Sequence, residues 1–154
     1  MNIARNMLIA VAAVACTGPL TAQKAPPPKS PTQVVEEFMR ATSDSNLTRM
    51  AELWGSAKGS AKKTDFPKDY QKRMVIMNAY LKGIDVRALS EIDGDIPTQR
   101  IVTTELSSGN CRVVLPVVTV KTKEGWIVQN FDLNQAAKVN RPCDDGKDAG
   151  NPPG

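Results

Sequence analysis

Apolar positions recur every three or four residues as far as Gly83, and every second residue beyond it. The first regime begins at Ser30-Pro31-Thr32-Gln33, where Ser30 is a helix N-cap, Pro31 fits the first helical turn and Gln33 closes a capping box. Val34, Val35, Phe38, Met39 and Thr42 then line one face, which predicts a helix from Pro31 to about Ala41. Asp44, Ser45 and Asn46 interrupt it. Leu47, Met50, Ala51 and Trp54 form a second, shorter stripe ending at Gly55. Asp65-Phe66-Pro67 is expected to open a third helix with Tyr70, Met74, Met77 and Leu81 on its apolar face. Ile76 and Tyr80 widen that face, and Gly83 ends it.

Beyond Gly83 the alternation predicts strands. Ile84 to Leu89 alternates toward Ile92, Asp93-Gly94-Asp95 turns, Arg100 to Leu106 returns, and Ser107 to Asn110 turns again. Cys111 to Leu133 is a hairpin of two β-rich runs around Thr122-Lys123-Glu124-Gly125. Three helices followed by a four-stranded antiparallel meander is an α+β order, with the helices packed on one face of a curved sheet. Pro116 lacks a backbone donor, so it is expected at a bulge or an unpaired stretch. The run around it is apolar on both faces, with Val113, Leu115 and Val117 on one and Val114, Val118 and Val120 on the other. The second face therefore calls for cover, from the tail or from another subunit.

The first 22 residues stand apart from this pattern. Arg5 precedes the apolar run Met7 to Ala15, and small residues and Pro19 follow, the order of a secretory signal peptide. Cleavage after Ala22 leaves Gln23 as the first residue. Alternatively, Ala13-Val14-Ala15-Cys16 resembles a bacterial lipobox and would leave a lipidated Cys16, although leucine is the usual residue where Ala13 sits. The chain thus divides into a signal peptide (1–22), a Pro-rich linker (23–31), one domain (32–143) and a disordered tail (144–154). Either cut leaves the same pair, Cys111 and Cys143, free to bridge in an oxidising compartment, since Cys16 is removed by one cut and lipidated after the other. A disulfide between them would close a 33-residue loop, worth roughly 3–4 kcal/mol; the alternative is two separate thiols.

Composition narrows the chemistry. The 154 residues contain no histidine, which removes the commonest general base and metal ligand. Removing residues 1–22 deletes Arg5 and no acid, lowering the net charge from +4 to +3, too little to imply nucleic acid. Lys58, Lys62, Lys63, Lys68, Lys72 and Arg73 form a basic run that reads as a solvated face or a contact for anionic headgroups. The tandem Gly-Ser-Ala-Lys of residues 55–62 does not match a phosphate-loop spacing and reads as a flexible loop. Asp93 and Asp95 resemble the start of a calcium loop but lack its later ligands. No cofactor and no metal are expected.

Val34 to Met39, Leu47 to Trp54 and Gly125 to Leu133 together resemble the NTF2-like superfamily, whose cone-shaped domain wraps helices in a bent sheet. The family's last strand often spaces Trp, an aliphatic, Phe and a hydrophobic residue as Trp126, Val128, Phe131 and Leu133 are spaced here. These four can face one core only if a β-bulge near Gln129-Asn130 shifts the parity. Together with the N-terminal export pattern, the resemblance implies an exported, non-enzymatic domain that binds a small apolar ligand or an envelope protein. Its pocket would be lined by Phe38, Trp54, Tyr80 and Trp126, and homodimers through the sheet are common in the superfamily. An isomerase-like enzyme is a second implication, needing a carboxylate and a tyrosine, with Tyr70, Tyr80, Asp85 and Glu105 as candidates. A third is an envelope scaffold, membrane-anchored if Cys16 is lipidated.

Overall fold

The structure, a computed structural model, describes Pro28 and residues 30–141. The expected signal peptide, Cys16, Cys143 and the expected disordered tail lie outside the described residues. Pro28 is buried, so the end of the Pro-rich linker packs on the domain. Helix α1 (Pro31–Ser43) starts as its capping signals dictate, with Ser30 Oγ accepting from the Gln33 amide at 3.1 Å. Asn46 caps α2 (Leu47–Leu53) in the same way, accepting from the Arg49 amide at 3.0 Å.

Residues 55–69, expected as a loop running into a third helix, are built differently. Gly55–Ser56 (β1) and Gly59–Ser60 (β2) form a two-rung antiparallel ladder, followed by a single helical turn, α3 (Ala61–Thr64). Glycine is required at both ladder positions: a Cβ on Gly55 would sit 2.3 Å from the Gly59 carbonyl oxygen, and Gly59 has φ +138. The long helix, α4 (Tyr70–Leu81), starts later than Asp65-Phe66-Pro67 suggests. Phe66 precedes proline and is sterically kept from helical backbone, and Asp65 ends α3 in the left-handed region at φ 50.

Strands β3 (Asp85–Asp93), β4 (Gln99–Ser108), β5 (Cys111–Thr122) and β6 (Gly125–Phe131) make the expected antiparallel meander, in the order β3-β4-β5-β6. Val102, Thr104 and Leu106 of β4 and Leu115, Val117 and Thr119 of β5 face inward and are buried. Against them packs α1, whose Val34, Val35, Phe38 and Met39 are all fully buried. Met50 and Leu53 of α2, and Met74, Met77 and Leu81 of α4, complete one continuous core.

The parity shift occurs at the expected place. Val117 pairs with Phe131 and Val118 with Asn130, but Thr119 pairs with Val128, so Gln129 is the extra residue of a bulge. Val128 and Phe131 both reach the core as a result. Leu133 reaches it too, but from a helical turn, α5 (Leu133–Ala136), and not from the strand. Asp132 caps that turn by accepting from the Asn134 and Gln135 amides, and a 3-10 turn (Ala137–Asn140) follows with Val139 buried. Gln135 Nε2 donates to the Val114 carbonyl at 3.0 Å, on the side of β5 that β6 no longer reaches. Pro116, two residues on, directs its donorless nitrogen to that same unpaired side.

The outward sheet face is only partly covered. Val120 is buried and Val118 half-buried, whereas Val114 is 46% exposed and Pro116 is open. Ile92, Ile101 and Val118 stand in register across β3, β4 and β5 on this face.

Charged side chains tie the helical layer together. Arg49 bridges Glu37 at 2.6 Å and Glu52 at 3.2 Å, and Glu52 also meets Lys62 at 2.8 Å, linking α1, α2 and α3. The Lys62 hydrogen bond, with help from Arg49 and against partial burial, holds the Glu52 carboxyl below its ordinary value.

Two outcomes are expected from this arrangement. Deleting Gln129 restores strict alternation and turns either Val128 or Phe131 off the core, at a cost of at least about 3 kcal/mol. Gln129→Ala instead loses the 2.7 Å hydrogen bond from Gln99, about 1 kcal/mol; urea denaturation of the two variants measures the difference. Folded Glu52 holds its proton less tightly than the unfolded carboxyl, so its contribution is complete above the ordinary value of 4.5 and fades as pH falls through the lower folded value. Glu52→Gln should therefore cost about 1 kcal/mol at pH 7, and the gap from wild type should narrow in urea titrations as pH falls below 4.5.

Candidate functional site

A cleft of about 400 Å³ opens between α4 and the end of β6, within the size range of small-molecule sites. Its position follows from the bulge. Trp54, which ends α2 in extended backbone, makes a parallel bridge to Val128 on the free edge of β6. That bridge sets the indole beside Asn130, Phe131 and Leu133, just past the bulged Gln129. Ile76 and Met77 of α4 form the opposite wall. Met77 is 7% exposed and is shared with the core, while Ile76 is 39% exposed at the rim.

The rim beyond Ile76 is polar. Asp69, Lys72 and Arg73 come from the loop before α4 and its first turn. Arg73 Nε donates to Asp69 Oδ2 at 3.1 Å, and this hydrogen bond holds the Asp69 carboxyl below its usual range. Lys72 makes no ion pair among the described residues. A second cleft of about 360 Å³ lies on the other flank of α4, between Leu47 and Ala51 of α2 and Tyr70, Met74 and Val75.

The four aromatic residues expected to line one pocket are dispersed. Phe38 is fully buried in the core, edge-on to Phe131 with centroids 6.0 Å apart. Trp54 lines the cleft. Tyr80 is half exposed on α4, and Trp126 is partly buried with the Arg100 guanidinium 6.0 Å from its ring. Nor are the isomerase candidates brought together. Asp85 and Glu105 lie on the outward face of the sheet, where Glu105 pairs with Arg87 at 3.2 Å, whereas Tyr70 and Tyr80 belong to the helical layer. The Cys111 sulfur lies 3.4 Å from the Arg141 carbonyl oxygen. Among the described residues no group of three His, Cys, Asp or Glu side chains converges as a metal site, and no helix is long and apolar enough to cross a membrane.

Four of the six residues of the basic run are paired, and Lys58 and Lys72 make no ion pair among the described residues. Lys62 meets Glu52 and Lys63 meets Glu124, while Lys68 meets Asp65 and Arg73 meets Asp69. The cleft residues that the periodicity did not single out are Asp69, Asn130 and the pair Lys72-Arg73. The signal for the last was present, since Lys72, Arg73, Ile76 and Met77 are three to five positions apart on one side of a helix.

No family model matches this chain, and no curated protein matches it. In chain path it is similar to the crystal structure of an NTF2-like protein of unknown function from Cytophaga hutchinsonii, with 9% sequence identity and a TM-score of 0.41 over 70% of this chain and 94% of that one.

Proposed function

We propose that this chain is an exported, NTF2-like domain that binds a small, largely apolar molecule without transforming it. The observation that carries this reading is the cleft walled by Trp54, Ile76, Met77, Phe131 and Leu133. Concave apolar surface with a few polar groups at its rim is the usual form of a small-molecule site. A neutral fluorophore, N-phenyl-1-naphthylamine, should bind saturably and quench Trp54 in a Trp126→Phe background. Ile76→Asp places a charge on the exposed rim and should weaken that binding tenfold or more while the thermal melt stays unchanged. Equal binding by both proteins would overturn the assignment.

Export rests on the order of charge, apolar run and small residues in the first 22 positions. A Cys111–Cys143 disulfide is supported by the Cys111 sulfur lying beside Arg141, two residues before Cys143, because bridged Cα atoms need be only about 4.4–6.8 Å apart. A second copy of the chain is the proposed cover for the outward sheet face, supported by the in-register Ile92, Ile101 and Val118 and the open Val114. Mass spectrometry of the exported protein reads all three. The expected result is a chain beginning at Gln23, lighter by two hydrogens than its reduced form, and dimeric under native conditions. An acylated Cys16 would replace the soluble form by an anchored one. Alkylation of both cysteines without reduction would remove the disulfide, and a monomer at high concentration would remove the dimer.

A further inference from the structure

We infer that the ligand of the α4–β6 cleft is an amphipathic monoanion, a molecule with an apolar tail and one carboxylate-like head. This rests on the reading of the cleft as a small-molecule site and specifies which class it takes. The walls set the tail: Trp54, Met77, Phe131 and Leu133 offer apolar surface and no charge. The rim sets the head. Two cations, Lys72 and Arg73, and one anion, Asp69, stand there, which leaves one positive charge in excess.

Their pairing decides which cation meets the head. Asp69 is committed to Arg73 through the Nε donor, so its charge is already opposed and would not repel an entering anion at full strength. Lys72 makes no ion pair among the described residues, and its charge reaches Asp69 only at longer range than that of Arg73. The head is therefore held at Lys72, and the tail runs inward past Ile76 toward Met77.

Charge counting also excludes a polyanion. Lys62, Lys63 and Lys68, which would extend the basic field beyond the rim, are each paired with a carboxylate. What remains is a local excess of one, suited to a single negative charge and too small to hold a polyphosphate or nucleic acid.

The test is displacement of N-phenyl-1-naphthylamine by octanoate, decanoate and decan-1-ol, with the full exported chain. Each added methylene should tighten binding about fourfold. Decanoate should displace the fluorophore at about fivefold lower concentration than decan-1-ol, the most that an exposed ion pair supplies. Salt at about 0.5 M, enough to screen such a pair, should reduce that preference. Lys72→Gln, on an exposed side chain outside the core, should erase the preference and leave decan-1-ol unchanged. Equal displacement by acid and alcohol in the wild type, or a preference that survives Lys72→Gln, overturns the anionic head while the apolar cleft stands. Failure of the fluorophore itself to bind overturns the cleft reading beneath it.

Discussion

Alternation along a β-strand assigns every residue to one of two faces, and in β6 that rule is broken once. Val128 and Phe131 are three positions apart, an odd step, yet both face the helices because Gln129 is inserted between them. The inserted residue has a structural cost in lost pairing and a twist in return. Much of the molecule depends on the exchange. Phe131 closes edge-on against Phe38 at the centre of α1, and the free edge of β6 at Val128 becomes the docking point for Trp54. Without that insertion the cleft would have no Phe131 wall, and the last turn of the chain would leave the sheet from the opposite face.

The end of the sheet shows how unpaired backbone is managed without another strand. β6 stops at the level of Val117, leaving the first half of β5 with an open side. Pro116 removes one donor from that side, and the Gln135 amide serves the carbonyl of Val114. Asn140 then donates to the carbonyl of Tyr80 at 2.8 Å, near the end of α4. The segment after β6 therefore ties the sheet edge to the helix that forms the far wall of the cleft.

What could be read from the residues alone was whatever repeats. The stripe of Val34, Val35, Phe38 and Met39 and the alternation after Gly83 each involve enough positions for a period to show. Even the bulge was legible, because it is a parity mismatch between two residue pairs. The β1–β2 ladder and α5 escaped because each is two to four residues long, shorter than one period of a reliable pattern. Their signals were chemical instead: glycines repeated at the two ladder positions, and Asp132 placed to cap. The site was less legible for a different reason. Aromatic side chains identify large apolar surface but not which face bears it, so Phe38 went to the core, Tyr80 to solvent and only Trp54 to the cleft. Lys72 and Asn130 approach one opening from elements nearly sixty residues apart, and no local spacing encodes that.

The wall that α4 contributes has a further property. Met74 and Met77 anchor that helix, and they pack into a core that also contains Met39 and Met50. Thioethers are unbranched and polarisable, and they change rotamer at small cost compared with branched side chains. Met77 brings that property into the cleft wall, and Met74 brings it to the second cleft on the other flank of α4. A wall with a thioether in it adjusts to apolar groups of differing shape by a change of rotamer, without a shift of the helix that carries it.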